Sequence, residues 1–161
     1  MPNGRFAILL LMKVAILWLV NEKGEVLMAR RAAHMSTDAN VWGPSVSGKV
    51  DPGETFDQAI RREASEELGL TGADVSPIFL HKEMYTDHSD GRSREFGLFY
   101  ARISSDITKH LKLELNEVAE VRWFTKSELE QLSNAQSESL IISSAKELWQ
   151  SIFAHLQVII T

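Results

Sequence analysis

The chain has 161 residues, of which 44% are hydrophobic and 24% charged, which is the balance of an ordinary globular fold with one sizeable core. It contains no cysteine, which excludes disulfide staples, Cys-ligated zinc and thiol nucleophiles. A net charge of −5 offers no broad basic field for a nucleic acid polymer, so a phosphate-bearing ligand would need cations placed locally.

Arg5 precedes an apolar run from Phe6 to Val20 that only Lys13 interrupts. As a membrane span the run is short and broken. It reads as a signal peptide or as buried strands; Met12 also offers an alternative start. Val14 to Val20 is β-rich, Asn21 to Gly24 has turn chemistry, and Glu25 to Arg30 continues as a strand, so a hairpin is expected. A polar loop follows from His34 to Gly43, then a short strand from Val46 to Lys49 and a turn at Asp51-Pro52-Gly53. Thr55 with Gln58 three residues on makes a capping box, and the helix runs to about Leu68, where Gly69 ends it. Phe56, Ala59, Ile60, Ala64 and Leu68 form its inward face. Strands are expected from Val75 to Tyr85, from Glu95 to Ile103 and from Val121 to Phe124, with a loop over 86–94. Thr125 with Glu128 caps a short helix. Leu140, Ile141, Ala145, Leu148, Trp149, Ile152, Phe153 and Leu156 then recur with helical period, predicting a helix over about 136–158. No repeat or linker interrupts the chain. One domain over 1–161 is expected, an α/β/α sandwich with a mixed sheet and a core over about 14–132. The N-terminal run and the last helix serve either as core or as the surfaces of a homodimer.

The helix after the Asp51-Pro52-Gly53 turn carries Glu63, Glu66 and Glu67. Side chains three and four apart share a helix face, and like charges so close repel unless a cation sits among them. Magnesium suits such a set, because it takes hard oxygen ligands and completes its shell with water and phosphate. From Gly48 to Leu70 the spacing is G-x5-E-x7-R-E-U-x-E-E-x-G-U, with U apolar; only Ala64 is smaller than usual. This is the box of the Nudix hydrolases, and the chain resembles that family over about residues 14–132.

The resemblance implies the Nudix fold, a cytoplasmic setting, and Mg2+ (or Mn2+) as cofactor. It implies hydrolysis of a diphosphate bond in a small-molecule substrate, of the nucleoside diphosphate-X type or another organic diphosphate. Glu66 and Glu67 match the main metal ligands, and Glu63 matches a further ligand or the base that activates water. Gly48 belongs with the metal set and, with Gly53 and Gly69, supplies backbone geometry. Arg62 matches the cation that holds the carboxylates, and Glu54 either fixes the loop–helix junction or meets metal through water. Downstream, Glu117 or Glu120 in Glu-Val-Ala-Glu-Val-Arg-Trp-Phe resembles the acidic segment that completes the metal shell or acts as base; either one also reads as a surface acid.

Other residues admit a binding reading beside a plain one. Arg30 and Arg31 suit bidentate phosphate contact, but strand alternation puts them on opposite faces, so at most one does so. Lys49 is the third candidate for substrate. Arg92, Arg94 and His88 lie on the 86–94 loop, where they bind or are solvated; Trp42 and Tyr85 stack on a base or pack. Gly43 to Val50 mimics a P-loop but has Val50 where that loop needs Ser or Thr. Leu27 to Arg31 and Val41 to Gly48 are similar to the isopentenyl-diphosphate isomerase branch of the family. That branch protonates an alkene with the cysteine of a Cys-Gly-His segment; this chain has Ser47-Gly48-Lys49 there, and serine lacks a thiol's acidity. The alternatives to a hydrolase are therefore such an isomerase, or a Nudix fold that senses a ligand without turnover.

Overall fold

The structure is a computed structural model, and it describes residues 11–87, 90–134 and 146–160. The expectations for residues 1–10, His88, Leu140, Ile141, Ala145 and the side chain of Trp149 lie outside the described residues.

Strand β1, Met12–Val20, is the axis of the molecule. Ile16, Trp18 and Val20 alternate with Ala15, Leu17 and Leu19, and all six are buried. Successive residues of a strand face opposite sides, so a continuous apolar run marks a strand covered on both faces. The first set joins one core with Leu148, Ile152, Phe153 and Leu156. The second joins another with Ala59, Ile60, Ala64 and Leu68. These helical residues belong to α3, Lys146–Ile159, and α1, Phe56–Leu68, which cover opposite faces; α2, Lys126–Asn134, adds Leu129 to the α3 side. The chain is thus an α/β/α sandwich.

The sheet is mixed. Strand β6, Ser93–Arg102, runs parallel to β1 along its whole length, and β5, Ile78–Thr86, pairs antiparallel with β6 at the edge. The other side of β1 is shared. Strand β2, Val26–Arg31, pairs with it only at Leu19 and Val20, while β4, Val46–Lys49, pairs with Val14 through Leu17. Buried Ser45 stands at this fork. Its hydroxyl accepts from the Leu19 N–H at 2.8 Å and donates to the Leu27 carbonyl, satisfying backbone groups that the splayed strands leave unpaired. Strand β7, Val118–Phe124, pairs with the far side of β2.

The hairpin expectation holds in its turn: Asn21 Oδ1 accepts from the N–H groups of Lys23 and Glu25, and Gly24 takes a φ of 75°. The capping box of Thr55 and Gln58 forms, and Gly69 ends α1 at a φ of 69°. Three expectations change. The loop over 34–43 ends in a two-residue strand β3, Trp42–Gly43, paired with Ala29 and Arg30. The strand expected from Val75 begins at Ile78, because Thr71 and Asp74 close a turn that tucks Val75 under α1. A helical turn over Ser105–Lys109 has no forecast in the apolar pattern.

Gly97 of β6 lies under Phe56, and a Cβ there would stand 2.5 Å from the ring. Gly97→Ala must therefore displace a packed aromatic. It is expected to cost about 1–3 kcal/mol, read as a lower midpoint in urea with unchanged slope.

Candidate active site

The Gly48–Leu70 segment brings its charged residues to one place. The short β4 strand runs beneath the middle of α1, and Gly48 pairs with Ala15 of β1. A Cβ on Gly48 would fall 2.1 Å from the Glu63 carboxyl carbon, so the missing side chain is the space that Glu63 occupies. Glu54 closes the loop before the helix by accepting from the Asp51 N–H at 2.9 Å.

Arg62 ties these pieces together. Its guanidinium donates to both oxygens of Glu54 at 2.8 and 3.0 Å, to Glu63 at 2.8 Å, to Glu66 at 3.3 Å and to the Lys49 carbonyl at 3.0 Å. A planar fork with five donors is suited to such bridging. Its hydrogen bond holds Glu54 down at about 2, well below the ordinary 4.5. Glu54 thus ties the Asp51 turn to Arg62 of the helix.

Glu63, Glu67 and Glu117 converge, each offering an oxygen within 4.8 Å of the others. Glu117 arrives from outside the box. The Lys112 and Glu114 N–H groups donate to the Leu68 and Glu67 carbonyls at the end of α1, and the Ala32 N–H donates to the Glu117 carbonyl. These bonds dock the segment before β7 against both α1 and the end of β2. Glu67 is buried, at 8% exposure, and its carboxyl is pushed up to about 9, first by burial and then by Glu63 and Glu117; the Ser47 backbone bond and Arg31 oppose this. Burial also raises Glu63, against the pull of Arg62.

The remaining expected residues divide. Glu66 is more than half exposed and its carboxylate lies on Arg62, outside the convergent trio. Glu120 pairs with Arg30 at 3.4 Å. Arg31 donates to the Thr37 carbonyl. The pairing register shifts by one residue of β7 opposite Arg30 and Arg31, and both arginines line a small cleft with Glu67 and Glu117. Only Arg31 also lines the large cavity next to it, of about 460 Å³. Lys49, Gly48, Tyr85 and Arg94 line that cavity too, over an apolar wall of Met12, Val14, Ile16, Phe96 and Leu148. The wall was legible in the sequence only as core. Arg94 is held by Asp87 and Asp90; Arg92 is exposed. Trp42 packs edge-on against Phe124 at 5.1 Å, which favours the packing reading.

The donor set fits a hard divalent cation. Three carboxylates crowd one point, one of them buried and driven toward its protonated form, and a positive ion among them would reverse that shift. Among the described residues, no helix is long and apolar enough to cross a membrane.

The model of the NUDIX domain matches residues 10–143. An isopentenyl-diphosphate Delta-isomerase of Salmonella typhi is 29% identical over 139 residues, covering 85% of this chain and 64% of that protein. One of Klebsiella pneumoniae (strain 342) is 43% identical over 61 residues, covering 38% and 33%. The chain spans less than two thirds of the length of these relatives. Among solved structures, a MutT protein of Methanosarcina mazei Go1 superposes with a TM-score of 0.65 at 23% identity, covering 89% of this chain and 93% of that one. A C. elegans Ap4A hydrolase in a binary complex gives 0.62 at 22% identity, covering 91% and 93%. At these identities the structural likeness concerns the fold.

Proposed function

Since the chain belongs to the NUDIX domain family, we propose that it is a Mg2+-dependent hydrolase that cleaves the diphosphate bond of a small organic diphosphate. The convergence of Glu63, Glu67 and Glu117 beside the large cavity carries this reading. Glu63 and Glu67 would hold the ion, together with the Gly48 backbone, and Glu66, by its position in the box, would join them on release from Arg62. When bound, the cation neutralises charge on the phosphate oxygens and acidifies an attacking water. Mn2+ suits the same oxygen donors.

The chain's own groups do the rest. Arg62 holds Glu63 and Glu54 in register. Glu117, exposed at the rim of the trio and delivered by a separate segment, accepts the proton of the attacking water. Arg31 and Lys49 meet the diphosphate from the cavity side, whereas Arg30 is engaged by Glu120. The apolar wall takes the organic moiety.

The names of the curated relatives favour a second reading, isomerisation of isopentenyl diphosphate. Against it stand Ser47 and Lys49 in place of the acid and the histidine that the isomerase resemblance requires. A panel of nucleoside triphosphates, nucleotide sugars, dinucleotides and isopentenyl diphosphate separates the readings by product. Hydrolysis is expected with Mg2+, releasing phosphate products, and is expected to stop with chelator. In Glu66→Gln, turnover is expected to fall by about 10²-fold or more. Migration of the double bond without phosphate release would favour the isomerase. Metal-independent binding with no turnover on the whole panel would favour a sensor.

A further inference from the structure

Away from the carboxylate trio, His81 and Glu83 of β5 meet His155 of α3, each offering one ligand atom within 4.8 Å of the others. We propose that these three residues form a second metal site, taking a divalent transition ion of the zinc class and clamping α3 to the edge strand beside the substrate cavity.

The backbone explains the convergence. Strand alternation places His81, Glu83 and Tyr85 on one face. The register slips between Phe79 and His81, so Phe79 meets Phe99 of the α1 core edge-on while Leu80 packs with the α3 core. That bulge turns His81 toward α3. On α3, Ser151 and His155 are four residues apart and share a ridge.

Hydrogen bonds orient the ligands. The Ser151 hydroxyl donates to Glu83 at 2.8 Å. His155 Nδ1 lies 2.9 Å from the Ser151 carbonyl. A carbonyl only accepts, so Nδ1 carries the hydrogen and Nε2 is left as the basic nitrogen, which is the usual arrangement of a metal-bound histidine. The His81 and His155 rings lie nearly parallel, with centroids 4.0 Å apart and planes at 15°. A metal ion sits near the plane of each imidazole that binds it, so one of the two rings turns out of the stack when both take the same ion.

The donor set selects the ion. Two imidazoles and one carboxylate suit zinc and its neighbours, whereas magnesium takes an all-oxygen shell. Metal–ligand bonds of about 2.0–2.2 Å set tetrahedral ligands roughly 3.4 Å apart. Ligand atoms already within 4.8 Å of one another therefore close by at most about 1.4 Å, with a turn of one ring. Tyr85, on the same face of β5, and Leu148, on α3, both line the large cavity. An ion joining His81 to His155 thus fixes the seam between these two parts of its wall.

Zinc chloride titrated into the full chain under excess Mg2+ tests the site by calorimetry, with Co2+ absorption reporting tetrahedral ligation. One zinc ion is expected to bind, to raise the melting temperature, and to bind equally to Glu67→Gln, whose lesion lies in the carboxylate trio. His155→Ala and the milder His81→Asn are each expected to weaken zinc binding by about 100-fold and to lose the melting shift. The folded state of each variant is checked by circular dichroism, and either folded variant decides the matter. Zinc binding that survives in either folded variant, or is lost in Glu67→Gln instead, would overturn the proposal, as would no zinc binding at all. Diphosphate hydrolysis is scored separately, so failure of the zinc site leaves the hydrolase reading to its own assay.

Discussion

Glu67→Gln is expected to lower turnover by about 10³-fold or more while making the metal-free protein more stable at neutral and mildly alkaline pH. Both effects have one cause. Burial, Glu63 and Glu117 raise the Glu67 carboxyl from 4.5 to about 9. Between those values the metal-free fold keeps a proton that the unfolded chain releases, so its stability falls as pH rises through this window. Glutamine cannot ionise, so the variant escapes the fall contributed by this group. It also cannot supply the negative ligand that a cation needs. Thermal melts of both proteins with chelator, taken from pH 5 to 9, check the sign: the wild type should lose stability against the variant as pH rises. Added Mg2+ should restore the wild type alone. Parallel melting curves across the window, or a fully active variant, would show that Glu67 is an ordinary buried acid.

Gly48→Ala is expected to separate activity from stability in the other way. The new Cβ would lie 2.1 Å from the Glu63 carboxyl carbon and 2.3 Å from its oxygen. Glu63 is a flexible side chain with solvent on one side, so it swings away at modest cost to the fold. Its carboxylate then leaves both Arg62 and the trio. Turnover is expected to drop about 10²-fold with a midpoint change under about 1 kcal/mol. Gly97→Ala meets a packed ring instead, and its loss should fall on stability. Steady-state kinetics beside urea melts of both variants test the contrast. A Gly48→Ala protein with normal turnover would mean that Glu63 need not sit over β4.

Much of this site was legible in the sequence because its signals are local. The spacing from Gly48 to Leu70 sets a turn, a capping box and a helix ridge within 23 consecutive residues. The unequal fates of Glu66 and Glu67 were not legible. Adjacent helical residues point about 100° apart, and which one is covered depends on β4, whose Ser47 backbone reaches Glu67, and on the segment docked before β7. The choice between Glu117 and Glu120 depended on the same docking and on the pairing of β7 with β2, which gives Glu120 to Arg30. Alternation limited Arg30 and Arg31 to at most one phosphate contact, but which one depended on Glu120, which engages Arg30 and leaves Arg31 at the large cavity. The apolar strand at Val14 to Val20 was visible, but its divided edge was not: β4 inserts there because Ser45 satisfies the fork, a contact spanning 26 residues.

The most direct test of the central claim is the number of protons released when Mn2+ or Mg2+ binds, obtained by calorimetry in buffers of different ionisation enthalpy near pH 7. Glu67 is protonated there in the metal-free fold and must ionise to become a ligand. The account predicts release of about one proton with the first ion, smaller release at pH 9, and none in Glu67→Gln. Metal binding with no proton release at pH 7, unchanged by that substitution, would contradict it.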